Sequence, residues 1–253
     1  MDTARGEYLS FLDTDDFFEP KMLEKTYRRA LDKNADITIC TAKRYDNKTK
    51  NLSAMPWSLR RDLLPDKDPF SYMDMPDHNF NAFQNWPWNK LFRHSFVIKN
   101  KLRFQNVSRA TDLFFTCLAL VTAERITTIE EELVSYRTGH AHSINSTNTN
   151  APSDLFLAFY ALKQALVERG IFERLEQSYV NWALSSCIHN LMSIKPDTSR
   201  RNLYDNLRRN YFHRLGLDQH PEDYFYEQVN FYGKRVILHI ALKKKQKKKL
   251  LKY

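Results

Sequence analysis

Three carboxylates fall within four residues at Asp13-Thr14-Asp15-Asp16, directly after the apolar run Tyr8-Leu9-Ser10-Phe11-Leu12. Like charges this close repel one another, so the cluster is best placed where a cation screens it. Hard oxygen donors suit Mg²⁺ or Mn²⁺. An acidic turn with no ion is the plainer reading of a lone D-x-D, and the neighbouring motifs decide between the two. One of these is Arg109-Ala110-Thr111-Asp112-Leu113-Phe114-Phe115, in which an acid opens an apolar helical run. Asp112 is there either a helix-dipole acid, contributing about 0.3–1 kcal/mol, or a reactive group. Another is Tyr136-Arg137-Thr138-Gly139-His140-Ala141-His142-Ser143-Ile144-Asn145. His140 and His142 alternate in a polar loop, either solvated or adding a nitrogen ligand to a carboxylate-bound metal. The last is Asn85-Trp86-Pro87-Trp88-Asn89-Lys90-Leu91-Phe92. Trp86 and Trp88 either stack on sugar faces or fill core, and Lys90 either meets a phosphate or caps a surface.

Globular elements must position these groups. Residues 8–12 read as a buried strand, with the carboxylates at its C-terminal end, where open α/β sheets place their ligands. Residues 20–33 read as a helix opened by Pro20, and 36–41 as a strand. A polar, irregular excursion covers 43–80. The aromatic-rich span 81–104 ends in a strand-like Lys101-Leu102-Arg103-Phe104. Residues 112–123 look helical, 125–129 and 133–137 look like two short strands, and 153–168, 172–193 and 200–213 look helical. Asn145-Ser146-Thr147-Asn148-Thr149-Asn150-Ala151-Pro152 reads as a linker. The expected organisation is 1–150, then a helical extension 151–233, then a basic amphipathic tail 234–253.

Composition narrows the class. A chain of 253 residues with 42% hydrophobic and 13% aromatic residues buries a real core and is not disordered. With only 5 glycines it has no G-x-G-x-x-G or Walker A loop, which removes simple dinucleotide-binding and P-loop readings. The 3 cysteines, Cys40, Cys117 and Cys187, are far apart and odd in number, which fits buried thiols in a reducing compartment. No apolar stretch of about 18 residues offers a membrane span. The polar, acidic N-terminus is not expected to act as a signal peptide.

The formal net charge of +9 is concentrated at one end. Val236-Ile237-Leu238-His239-Ile240-Ala241-Leu242 is followed by Lys243-Lys244-Lys245-Gln246-Lys247-Lys248-Lys249. The tail is either solvated or a peripheral contact with anionic lipid, each basic residue contributing about 1 kcal/mol near the surface. Nucleic acid is not the expected partner, since no aromatics interleave the lysines.

Taken in order, these motifs resemble the family 2 glycosyltransferases of bacterial surface-polysaccharide type. Those enzymes carry a Gly-x-Tyr-apolar-x-Phe-Leu-Asp-x-Asp-Asp segment, seen here from Gly6 to Asp16. A Trp-x-Lys-Leu-aromatic-Arg segment follows at Trp88–Arg93, then an apolar-x-Phe at Leu102-Arg103-Phe104 before Thr111-Asp112, and a Tyr-x-Arg-like element at Tyr136-Arg137 with a serine loop at Ser143. The resemblance covers roughly residues 1–150. It implies an α/β fold: a GT-A (Rossmann-like) nucleotide-diphospho-sugar transferase domain followed by a helical C-terminal extension. It further implies inverting transfer from a nucleotide-sugar to a saccharide or lipid-linked hydroxyl acceptor, with Mn²⁺ or Mg²⁺. By match to the family motifs, Asp13 faces the nucleotide ribose or the metal. Asp15 is a metal ligand that Asp16 shares, and His140 or His142 completes the shell. Asp112 is the catalytic base, Lys90 lies near the donor phosphate, and Trp86, Trp88 and Thr111 lie on the substrate side. The setting implied is cytoplasmic, peripheral on the inner membrane face.

Two departures qualify this. The family's Glu before the base is Thr111 here, which removes an acceptor contact. The leading strand and turn of the Val-Ile-Ile-Pro-x-Tyr-Asn kind are not found, so the domain is expected to be an incomplete GT-A unit. The alternatives are an inactive truncated remnant, the partner half of a split transferase, or a basic membrane-associated binding protein.

Overall fold

The computed structural model describes residues 1, 3–139, 151–194 and 198–238. These divide into two compact units. One holds Met1–Asn106 together with the chain from Thr111 to the end of the last strand, and the other holds Val107–Ala110 with the described residues from Ala151 onward.

The first unit is a six-stranded mixed sheet with helices packed on it. Its strands are β1 (Tyr8–Ser10), β2 (Phe17–Phe18), β3 (Ile37–Asp46), β4 (Leu52–Ala54), β5 (Lys90–Arg93) and β6 (Ile126–Thr138). They run in the order β1-β5-β3-β6-β2, with β4 paired to β3 off that path. β3 and β6 are parallel, while β1–β5, β5–β3 and β6–β2 are antiparallel. The parallel pair is the centre: Ile37, Ile39, Cys40, Ile126 and Val134 are fully buried there. Covered strands of this kind read as continuous apolar runs rather than alternations.

Among the described residues, three α-helices belong to this unit. α1 (Met22–Asp32) lays Met22, Thr26 and Ala30 against the sheet, a spacing of four that puts all three on one face. α2 (His94–Lys99) is short. α3 (Thr111–Thr122) buries Leu113 and every residue from Phe115 to Val121, so it is a core helix covered on most sides.

The structure differs from the sequence expectations in two strands. Residues 125–129 and 133–137 form one strand, β6, whose register against β3 shifts on either side of Thr41. The slack is taken up at Glu130-Glu131-Glu132, which a bulge turns outward. Residues 101–104 are not a strand. Lys101 has φ of 52°, and Leu102 and Phe104 point inward from an irregular segment without a partner strand.

The second unit is helical among its described residues: α4 (Asp154–Glu168), α5 (Phe172–Ser193), α6 (Thr198–Asn206), α7 (Phe212–Leu215) and α8 (Gln228–Ile237). A π-helical turn, Leu207–Tyr211, joins α6 to α7, so the 200–213 helix is broken rather than continuous. Gly216, with φ of 79°, ends α7 in the left-handed conformation that suits glycine at a helix C-terminus. Phe159, Leu162, Tyr179, Leu184 and Phe212 are buried here, and the Tyr179 hydroxyl donates to the Phe159 carbonyl at 3.0 Å. Lys234 is buried inside α8, so helix continues into the first residues of the expected tail. The segment 239–253 lies outside the described residues, as do His140 and His142 and the greater part of the expected linker.

Candidate active site

The acidic turn links two strands of the first unit. The chain leaves β1 at Ser10, turns through 11–16 and enters β2 at Phe17, which pairs with Ser135 of β6. The Asp16 N–H closes the turn on the Asp13 carbonyl at 3.4 Å. One oxygen from each of Asp13, Asp15 and Asp16 lies within 4.8 Å of the others. Asp13 is at the exposed rim and Asp16 is buried, with 8% exposure.

The electrostatics of this turn favour a cation. Burial pushes the Asp16 carboxyl up to about 6; the Arg137 backbone hydrogen bond opposes that rise, and the charges of Asp15 and Asp13 reinforce it. Asp13 is also raised, first by burial and then by Asp15. The Arg137 N–H donates to Asp16 Oδ1 at 2.8 Å, while Asp16 Oδ2 is buried and has no hydrogen-bond partner among the described residues. A buried carboxylate oxygen without a donor is costly by itself and suits a metal ion. Three converging hard oxygens, one of them orphaned, therefore fit a divalent cation such as Mg²⁺ or Mn²⁺.

Asp112 opens α3 in the same unit. The Thr111 hydroxyl donates to its Oδ1 at 3.2 Å. Burial raises its carboxyl; the Thr111 bond and the Lys90 charge pull it down, and the Asp13 charge adds to the rise. Asp13 and Asp112 thus feel one another although 99 positions separate them. An aromatic cluster brings them together. Phe11, two residues before Asp13, packs on Phe115, three residues after Asp112, with ring centroids 5.3 Å apart. Phe92 of β5 and Phe104 complete the cluster, at 5.2 and 4.2 Å from Phe115. Edge-to-face and offset contacts at these separations favour fixed ring geometry.

The structure corrects two of the expectations for the Trp86–Lys90 segment. Trp88 is 2% exposed and lies in a core cluster with Met22, Cys40, Ala42, Leu133 and Val134, so it fills core and offers no face to a substrate. Lys90 is fully buried, and its ammonium donates to the carbonyls of Gln84 and Trp86 and to Asn89 Oδ1 at 2.8, 2.7 and 2.8 Å. An ammonium has three protons, and all three are used, so none is left for a phosphate. Trp86 is half-buried. Its ring stacks on Trp88 at 4.7 Å and on Tyr136 at 5.7 Å, packed against the same core cluster.

Two contributors had no assigned role in the sequence. Arg137 supplies the backbone donor to Asp16, and Asn89 ties the segment to β3 through a bond from Nδ2 to the Cys40 carbonyl at 2.8 Å. Both depend on which strands lie side by side, which spacing along one chain does not reveal. A groove of about 790 Å³ lies elsewhere on this unit, lined by Lys25, Arg28, Arg29, Arg61, Asp68 and Glu130 among others. It contains none of the residues of the acidic turn, and its walls are tied by ion pairs such as Arg29–Asp68 at 2.7 Å.

Residues 1–101 match the sequence model of the family described as glycosyl transferase family 2. The match covers the first 101 of the chain's 253 residues. The chain is 28% identical over 220 residues to the putative glycosyltransferase EpsH of Bacillus subtilis, covering 82% of this chain and 60% of that protein. It is 29% identical over 124 residues to a poly(ribitol-phosphate) beta-glucosyltransferase of Bacillus spizizenii, covering 49% of this chain and 18% of that protein. In fold it is similar to the crystal structure of S. aureus TarS 1–349 in complex with UDP-GlcNAc, with a TM-score of 0.67 and 16% identity, over 94% of this chain and 66% of that one. The mixed sheet with flanking helices is accordingly of the GT-A type, with a helical part after it. The chain spans about three fifths of the length of EpsH.

Proposed function

We propose that this chain carries the acidic turn and the base of an inverting glycosyl transfer, from a nucleoside diphosphate sugar to a hydroxyl acceptor in surface-polymer synthesis. The observation that supports this most is the meeting, in one unit, of a three-carboxylate turn with a half-buried acid that senses its charge. The family match and the UDP-GlcNAc complex of TarS support the same donor class.

The roles follow from the chemistry of each group. Asp15 and Asp16, with Asp13 beside them, would hold the divalent ion. Bound there, such an ion supplies neutralisation of charge on the departing diphosphate. Asp112 accepts the acceptor hydroxyl proton as that oxygen bonds to the anomeric carbon and the bond to the diphosphate breaks. Partial desolvation keeps Asp112 a stronger base than a free carboxylate. Trp86 keeps the substrate-side place that the family motif implies. Thr111 orients Asp112 through its hydroxyl and supplies no acid of its own. His140 and His142 remain candidates for a further metal ligand.

We further propose that the lysine-rich end holds the protein at the anionic inner face of the cell membrane, beside a lipid-linked acceptor. No helix among the described residues is long and apolar enough to cross a membrane. The function is tested by incubating the protein with UDP-sugars, Mn²⁺ and cell-envelope acceptors, with Asp112→Asn alongside. The expected result is Mn²⁺-dependent UDP binding by both proteins and sugar transfer by the unaltered one alone. Binding of no nucleotide, with salt-sensitive binding to lipid instead, would favour a membrane-associated binding protein without transferase activity.

A further inference from the structure

Lys90 is an unusual group to find at zero exposure. Its ammonium touches no carboxylate among the described residues; two carbonyls and an amide oxygen take its three protons. A charge buried with only neutral acceptors carries a large desolvation cost, which an apolar residue at that position would not carry. Three titratable groups face it. Cys40 comes from β3, and Cys117 and Asp112 come from α3; burial pushes both thiols well up, so they stay neutral. That leaves Asp112 as the acid that favours the charged form.

The three bonds also lead to the acidic turn. The Trp86 carbonyl held by Lys90 fixes the backbone beneath the Trp86 ring, and that ring stacks on Trp88 and Tyr136. Tyr136 precedes Arg137, whose N–H holds Asp16 Oδ1. Asn89 joins the same network to β3 through the Cys40 carbonyl. A fully satisfied buried polar network of this sort fixes one arrangement where an apolar core would allow several.

We propose that Lys90 is a positioning residue: it sets the Gln84–Trp86 turn and the aromatic stack behind Asp16, and supplies positive charge to Asp112. The bearing of this on turnover rests on the reading of Asp112 as the base. Burial brings the Lys90 ammonium down to about 7, so the charge on this network varies near neutral pH. Asp112 is faced in turn by Thr111, Asp13 and Lys90.

The test uses the full chain with isotope-labelled aspartate and lysine, comparing Lys90→Met and Asp112→Asn with the unaltered protein by NMR titration. Methionine fills much of the lysine volume without its charge. In a folded Lys90→Met protein, the titration midpoint of Asp112 should rise, and Mn²⁺ binding by calorimetry should weaken several-fold. In Asp112→Asn, the Lys90 ammonium should titrate at lower pH, because the acid favouring its charge is gone. This second arm keeps Lys90 intact and decides the matter if Lys90→Met does not fold. Unchanged midpoints overturn the electrostatic role, and unchanged Mn²⁺ affinity in folded Lys90→Met overturns the positioning role. If Asp112→Asn retains sugar transfer, the base assignment fails, while the coupling of Lys90 to Asp112 is still read from the midpoints.

Discussion

Asp16 gives the clearest residue-level consequence because its two oxygens are treated so differently. One accepts a backbone N–H; the other is buried without a donor. Its carboxyl is raised to about 6 from an ordinary value near 4. A raised folded value means that the folded chain holds the proton more tightly than the unfolded one. The resulting stability is fully present below about pH 4 and is lost as pH rises through about 6. At pH 7 without metal, the ionised Asp16 should therefore destabilise the fold by about 1–3 kcal/mol. Asp16→Asn keeps an acceptor for Arg137 and removes the charge. The metal-free variant should melt higher than the parent at pH 7, with the gain disappearing near pH 4. It should also lose the melting increase that Mn²⁺ gives the parent. Differential scanning fluorimetry with and without Mn²⁺ checks both, and a variant still stabilised by Mn²⁺ would remove Asp16 from the metal site. Asp112→Asn should behave differently, sparing Mn²⁺-dependent nucleotide binding and lowering transfer by about 10²–10⁴-fold, the usual range for loss of a general base.

At the scale of elements, the aromatic cluster around α3 carries the geometry of the site. Phe115 is fully buried and touches Phe11, Phe92 and Phe104. Phe115→Ala should cost about 3–5 kcal/mol, measured by denaturant unfolding, through lost burial and the cavity left behind. It should also weaken Mn²⁺ binding, since Phe11 leads directly into the acidic turn. The elements most legible in the sequence were those whose signal is local. α1 and α5 announce themselves by period and by a flanking Pro20 or Gly170, α3 by the apolar run that Asp112 opens, and the triad by its charge density. What escaped depends on neighbours in space. Glu130-Glu131-Glu132 looked like a break between two strands, because three acids seldom sit inside one. The structure keeps the strand and bulges the acids out. Leu102 and Phe104 alternate as a strand would, yet they face inward toward the core from an irregular segment. The motif around Lys90 implies a phosphate contact, and only the folded loop shows its three protons already taken. Trp88 lost its substrate role in the same way, since a tryptophan in core and one in a site have the same letter.

Over the whole molecule, charge and open edges set what the protein meets. The last eleven residues hold seven lysines and no acid, so the remaining chain has a net charge of only +2. Deleting 243–253 should abolish co-sedimentation with vesicles rich in anionic lipid at low salt, while leaving Mn²⁺ binding intact. Salt at about 0.5 M should release the full chain from the same vesicles, because screening over a few ångströms removes the attraction. Binding that survives the deletion would place the lipid contact elsewhere.

The open side of the sheet has its own consequence. β1 pairs with β5 through Tyr8–Arg93, Leu9–Phe92 and Ser10–Leu91, and no strand lies on its other edge among the described residues. The Tyr8 hydroxyl and Ser10 Oγ are buried there without a hydrogen-bond partner among those residues. Beside this edge, α1 presents Leu23, Tyr27 and Leu31 at 51%, 41% and 48% exposure, one above another at a spacing of four. Tyr27 packs edge-on against Tyr8 at 5.6 Å, so the helix stripe and the strand edge form one continuous surface. Unpaired backbone groups next to an apolar stripe invite another strand or another chain. The protein expressed by itself should associate with rising concentration, seen as increasing mass in sedimentation velocity. Leu23→Lys with Leu31→Lys should reduce that association without unfolding the sheet, because both side chains already face solvent. A chain that stays monomeric at high concentration and unfolds in one sharp transition would show that this edge is closed by contacts other than a strand.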